Sequence, residues 1–170
     1  VGLNNACTVT AMEADGTVTG RAFLSLPGEE DSLSHAVNRI KKAQQHGAHK
    51  TPRLWAAVKG INRHISEKTA TFIMEKAVEF QADTIVFEHL DTGGRKRGSK
   101  RQRIHLWRCQ EVQAIMAGKA HRLGLRVSRV NTWGTSRLAF DGTGAVERGI
   151  DGNHSICRFP NGKIYHCDLN

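Results

Sequence analysis

The chain is short of acids relative to bases, has no paired-cysteine motif, no long apolar run and no H-x-x-x-H pair. Each shortage removes a class of protein. No stretch approaches the roughly 18 uninterrupted apolar residues of a membrane span, and the N-terminal residues lack the charged-then-apolar pattern of a signal peptide. The expectation is a soluble, cytoplasmic protein with no membrane partner. Four cysteines stand at Cys7, Cys109, Cys157 and Cys167, and none forms a C-x-x-C pair, so neither a zinc ribbon nor a thioredoxin-like redox pair is legible. A disulfide framework is equally unsupported, and reduced thiols are expected. The nine histidines are scattered without an H-x-x-x-H pair, which removes the helical zinc-protease signature. There is no internal repeat.

What is present is positive charge. Lys and Arg outnumber Asp and Glu by 25 to 16 and the sequence pI is near 9.8, which favours a polyanion as partner over a merely soluble basic domain. The charge is concentrated: Arg95, Lys96, Arg97, Lys100, Arg101 and Arg103 fall within Gly93 to Arg103. That segment is expected to contact phosphate backbone, the alternative being a solvated loop. At 170 residues and 39% hydrophobic, the chain has material for one core.

Residue periodicity orders the elements. Ala6 to Met12 and Thr17 to Leu26 alternate as a hairpin around Ala14-Asp15-Gly16, with Val18, Ala22, Leu24 and Leu26 on one face. Pro27-Gly28 breaks it, and Asp31 or Ser32 is expected to cap a helix carrying Leu33, Ala36, Val37, Ile40 and Ala43 and ending at Gly47. Thr51-Pro52 opens the longest helix, with Thr51 as hydroxyl N-cap and Leu54, Val58, Ile61, Ile65, Phe72, Ile73, Ala77 and Phe80 on its apolar face. Thr84 to Phe87 is expected to be a buried parallel strand ending at Glu88. A helix through Leu106, Cys109, Val112, Met116, Ala120 and Leu123 closes at Gly124, and Leu125 to Val130 forms a further strand. From Asn131 to His166 the texture is glycine-rich and short in period, with turns at Asp141-Gly142 and Asn161-Gly162. The order is that of an α/β fold.

Two acids stand out. Phosphodiester hydrolysis with two metal ions needs oxygen ligands converging on ions about 4 Å apart, and carboxylates at the C-terminal ends of adjacent parallel strands, about 4.8 Å apart, converge in this way. Glu88 ends such a strand, and Asp168 stands far away in sequence. Taken singly, Glu88 also reads as a surface acid at a strand end and Asp168 as an ordinary helix N-cap.

Several strings together resemble a known family. Gly2-Leu3-Asn4-Asn5-Ala6-Cys7-Thr8 is similar to the tail of the D-x-G-x-N-N-x-x-T opening of the RuvC-like nuclease domain of transposon-encoded TnpB proteins and type V CRISPR effectors. Ile85 to Leu90 resembles that family's I-V-x-E-x-L strand, and Asp168-Leu169-Asn170 the start of its D-x-N-A-A helix. The helix around Trp107, Gln110 and Lys119-Ala120, followed by Val127 to Val130, resembles the segment before the family's zinc finger. The matches keep the family's order and span nearly the whole chain.

The resemblance implies a ribonuclease H-like (RuvC-type) mixed sheet flanked by helices. Its core would be residues 1–130, followed by a β-rich insertion at 131–167 resembling a degenerate zinc-finger region and the start of the last catalytic helix at 168–170. It implies a magnesium-dependent DNA endonuclease selected by a guide RNA, with guide RNA, target DNA and the remainder of a parent polypeptide as partners. Glu88 and Asp168 would be catalytic and magnesium ligands. The first catalytic Asp would fall immediately before Val1, on a central first strand largely missing from the chain. Interior strands left unpaired would lose roughly 1 to 3 kcal/mol for each buried orphan group, against a typical domain stability of about 5 to 15 kcal/mol. The expectation is therefore a segment of a longer polypeptide, inactive alone.

The chain departs from the pattern at the zinc finger. Thr135-Ser136 is kept, but Ala139 and Gly142 stand at two cysteine positions and Pro160 at another, with Cys157 the one match. With at most one of four ligands, no zinc is expected, and Phe140, Ile156, Phe159 and Tyr165 are expected to pack in its place. Trp55 and Trp107 read as core or domain-contact residues. Trp133, beside Gly134, is a candidate for stacking on bases, with Arg137 and Arg158 as basic neighbours of phosphate or as a solvated rim. His89 should point opposite to Glu88. Competing readings are a catalytically silent RNA-guided DNA-binding module, an actin-like ATPase, disfavoured because no glycine-rich phosphate loops appear, and a general basic nucleic-acid-binding domain.

Overall fold

A computed structural model of the chain describes residues 7–89, 108–131, 133–134, 137–139, 142–150 and 152–166, with the backbone alone described at 153–155 and 165–166. Its architecture is mixed α/β, and the described residues form three helices and three small sheets.

Strands β1 (Cys7–Met12) and β2 (Val18–Leu24) pair antiparallel, Cys7 opposite Leu24 and Val9 opposite Ala22. The turn between them is closed by Glu13 and Thr17, and the Asp15 carboxylate accepts the Thr17 N–H at 2.8 Å. That turn requires Gly16, whose φ is +89°. Alternation then sorts the faces: Cys7, Val9, Ala22 and Leu24 turn inward, while Phe23 is half exposed on the other side.

Helix α1 (Pro27–Gln45) has its N-cap at Leu26, five residues before Asp31 and six before Ser32, the expected caps. Pro27 takes the first turn, where its missing N–H has no partner to lose and its fixed φ suits the helix. Asp31 and Ser32 are thus interior, Ser32 donating to the Gly28 carbonyl at 2.8 Å and Asp31 lying 3.4 Å from His35. Helix α2 (Pro52–Glu79) begins as expected, but the Thr51 hydroxyl makes no capping bond. Leu33, Val37 and Ile40 of α1 pack on Val58 and Ile65 of α2, with Trp55 half-buried against them as expected.

Strands β3 (Thr84–His89) and β4 (Arg126–Asn131) pair in parallel, Ile85 opposite Val127 and Glu88 opposite Val130, and helix α3 (Cys109–Arg122) lies between them in sequence. The expectation that β3 is buried on both faces is corrected. Among the described residues, helices cover one side of it, so Ile85 is buried while Val86 is 55% exposed. Leu123, counted on the apolar face of α3, is also exposed, because the helix ends at Arg122 and Gly124 turns the chain with φ +70°.

One apolar cluster holds these parts together: Cys7 from β1, Ala70, Ile73, Met74 and Ala77 from α2, Ile85 from β3, and Val112, Met116 and Ala120 from α3. Burial of this kind contributes about 25 cal/mol per Å² of apolar surface. β1 and β3 thus lay side chains on the same core, yet among the described residues each pairs only with its own neighbour and not with the other.

The region after β4 is a small β-sheet, β5 (Glu147–Ile150), β6 (Asn153–Arg158) and β7 (Ile164–His166), in antiparallel order. Its core is Ala139, Cys157 and Phe159, with Val146 packed against them. Phe159 was expected there. Ile156 is only half-buried and is not among that cluster, a correction that follows from alternation, since the next residue, Cys157, takes the inward position. Phe140 and the Tyr165 side chain lie outside the described residues.

Candidate functional site

The carboxyl end of the β3–β4 pair is where the described chemistry gathers. Because Ile85 and Phe87 face the helices, Val86 and Glu88 face away from them, and Glu88 is exposed beside Val130. His89 continues the strand opposite Asn131, so alternation places it on the other face, as expected. Open α/β sheets present ligand sites at the carboxyl ends of their parallel strands.

The backbone at Glu88 is fixed from below. Gln113 of α3, buried among apolar residues, donates its side-chain N–H to the Glu88 carbonyl at 3.1 Å and to the Cys109 sulfur at 3.4 Å. This residue escaped the sequence reading. Its signal was there: it sits one position from Val112 and four from Cys109, on the face that the apolar residues mark as buried. Burial pushes the Cys109 thiol pKa up, and the nearby Glu88 carboxylate adds to the rise. Burial likewise raises Cys7, with Cys109 contributing. Both thiols are neutral at the rear of the site.

The start of α3 is held by a polar network that the sequence did not reveal. Arg108 is buried, reaching Asn62 Oδ1 at 3.4 Å and Glu30 Oε1 at 3.7 Å, while Ser66 donates to Glu111 at 2.8 Å. Burial lowers the Arg108 pKa, and Glu30 and Glu111 oppose that shift. Among the described residues, its Nε has no hydrogen-bond partner. Breaking one member of such a network leaves an uncompensated charge in the low-dielectric interior. Through Gln113 and this network, the two ends of the segment 90–107 are anchored: His89 follows Glu88, and Arg108 caps α3.

The other expected site residues are placed as follows. Trp133 is 83% exposed, two residues past the end of β4, its N–H accepted by Asn131 Oδ1 at 3.0 Å. Arg137 is exposed in the same turn. Arg158 lies 3.4 Å from Glu147, an exposed pair of little energetic weight. Asp168, Arg95, Lys96, Arg97, Lys100, Arg101, Arg103 and Trp107 lie outside the described residues. At the expected zinc-ligand positions, Ala139 and Cys157 are buried together in the small apolar core.

A carboxylate oxygen is a hard donor suited to magnesium, and Glu88 supplies one from a fixed strand end. Among the described residues, no three His, Cys, Asp or Glu side chains gather as a metal-binding group. A shallow groove elsewhere, between α1 and α2, is lined by Gly28, Glu29, Ser32, Gly60, Ile61 and His64, and Glu29 there is paired with Lys68. Among the described residues, no helix is long and apolar enough to cross a membrane. Neither a known protein-family model nor a curated protein matches the chain.

Proposed function

We propose that the chain is the nuclease portion of an RNA-guided DNA endonuclease with a ribonuclease H-like fold. The observation that carries the proposal is Glu88: an exposed carboxylate at the carboxyl end of a parallel strand, on the face away from the helices. The motif order supports it. So does the placing of two separate strand pairs, β1–β2 and β3–β4, over one core, since a ribonuclease H-like sheet has a further strand between two such pairs.

In this reading Glu88 and Asp168 hold magnesium, which when bound supplies Lewis-acid stabilisation of charge on a phosphodiester. Gln113 holds the Glu88 backbone in place, so that its carboxylate meets the ion with little reorganisation. The basic cluster between Gly93 and Arg103 belongs to a segment whose two flanking residues, His89 and Arg108, are anchored near Glu88. Cations on that segment would bind the nucleic-acid backbone beside the scissile phosphate.

A second reading, a catalytically silent module that holds guide RNA and target DNA, is favoured by the net charge of +9. Glu88→Gln separates the two. In the protein that carries this chain, the variant is expected to lose magnesium-dependent cleavage and keep guide-dependent DNA binding. Retained cutting would remove the role assigned to Glu88.

A further inference from the structure

We infer that the turn carrying Trp133 is a stacking site for an unpaired nucleobase, a reading that rests on the nucleic-acid part of the function proposed above. An indole left 83% exposed is a large apolar surface in water, and the backbone that carries it is tied into a hydrogen-bonded turn. Asn131 Oδ1 accepts the Trp133 N–H at 3.0 Å. Gly134 follows with φ +80°, a conformation that other residues rarely adopt, and its carbonyl accepts the N–H groups of Arg137 and Leu138, each at 2.8 Å. Leu138 closes on this turn so tightly that a side chain at Gly134 would come within 2.9 Å of it. A Trp side chain has only two χ angles to lose on binding, the property that makes it a good planar platform.

Charge selects the occupant. From Arg126 to Ala139 the sequence carries Arg126, Arg129 and Arg137 and no carboxylate. Arg126 is engaged with Asp83 at 3.3 Å, leaving Arg129 and Arg137 as the exposed cations nearest the indole in sequence. A second copy of the chain, itself at +9, would be repelled by this face. An anionic chain with accessible π-faces satisfies both the cations and the ring. Duplex bases are stacked on each other and offer no free face to a protruding side chain, whereas an unpaired base does. The site also lies in the right place: Asn131, whose Oδ1 accepts the Trp133 backbone N–H, pairs in register with His89, the residue after Glu88. A base held on Trp133 would fix an unpaired strand across the carboxyl end of β3 and β4.

The test is the binding of the whole chain to labelled oligothymidine and to a labelled duplex of equal length, by fluorescence anisotropy, for Trp133→Ala and Trp133→Phe. Stacking is worth about 1–3 kcal/mol per base, so Trp133→Ala should weaken oligothymidine binding by about 5- to 150-fold. Duplex affinity should stay within about twofold, because backbone charge is untouched. Trp133→Phe, which keeps a planar ring, should recover most of the loss and serves as the control for folding. Unchanged oligothymidine affinity in Trp133→Ala would overturn the inference, as would equal loss for both ligands. A dimer that dissociates on the Ala substitution would overturn it too, by assigning the ring to a second copy. Glu88→Gln has no bearing on these affinities, so the nuclease reading and the stacking site fail separately.

Discussion

The packing of Gly20 against Phe80 gives a test of how the hairpin is docked on the core. A side-chain carbon at Gly20 would lie 2.6 Å from Phe80 Cε1, 2.8 Å from Cζ and 2.9 Å from Cδ1. Carbon atoms prefer about 3.5–4.0 Å, so the ring or the strand must give by about 1 Å. Phe80 is fixed at its backbone, so the ring must turn or the strand must move. Its N–H closes the end of α2 on the Lys76 carbonyl at 2.9 Å, and Gln81 follows with φ +53°. Gly20→Ala therefore forces overpacking that costs about 1–3 kcal/mol, offset by about 0.5–1 kcal/mol from the lower chain entropy of Ala, a net loss of up to about 2.5 kcal/mol. For a chain of this length that lowers the melting temperature by up to about 10 °C. Urea unfolding followed by tryptophan fluorescence measures it. In a Phe80→Ala background the clash is gone and the same Gly20→Ala change should be neutral or stabilising, a coupling that a double-mutant cycle isolates. A stabilised Gly20→Ala single variant would refute the reasoning, because it would mean that β2 does not approach the end of α2.

Two further outcomes follow from charge and burial. Cys7 and Cys109 have thiol pKa values raised by burial, so their contribution to stability is intact below the ordinary thiol range and is lost as pH climbs through the raised folded values. The urea midpoint should fall toward alkaline pH, and a Cys7→Ala, Cys109→Ala double variant should show a shallower fall; identical profiles would count against it. Replacing Arg95, Lys96 and Arg97 with Gln should weaken nucleic-acid binding and reduce the slope of log affinity against log salt by up to about 3 units, nearly one for each phosphate no longer neutralised. An unchanged slope would return those residues to solvent.

Much of the fold could be read from periodicity because its apolar residues are local signals. Val112, Met116 and Ala120 recur at helical spacing, and Ile85 and Phe87 alternate with Val86 and Glu88, so α3 and β3 were legible. The error at α1 came from weighing Asp31 and Ser32 as caps over Pro27 as a first-turn residue, although both choices fit the same apolar stripe. The burial of β3 was overestimated because β-branched composition does not say how many faces are covered. The site divides in the same way. Glu88 was legible from its strand end, but Gln113 behind it and the Glu30, Asn62, Ser66, Arg108 and Glu111 network were not, because hydrogen bonds between residues tens of positions apart leave no periodic trace. Cys157 and Ala139 looked like remnants of a ligand set, and they meet as core residues.

The measurement that bears most directly on the account is the single-turnover DNA cleavage rate of Glu88→Gln beside wild type in the protein that carries this chain, with guide-dependent DNA binding measured on the same samples. Losing an ion ligand that stabilises the transition state by several kcal/mol should slow cleavage by about a thousandfold or more, since each 1.36 kcal/mol is tenfold. Binding should change by less than about threefold, because an exposed carboxylate lends no affinity for a polyanion. Cleavage within tenfold of wild type would contradict the assignment of Glu88 to the metal and, with it, the nuclease reading.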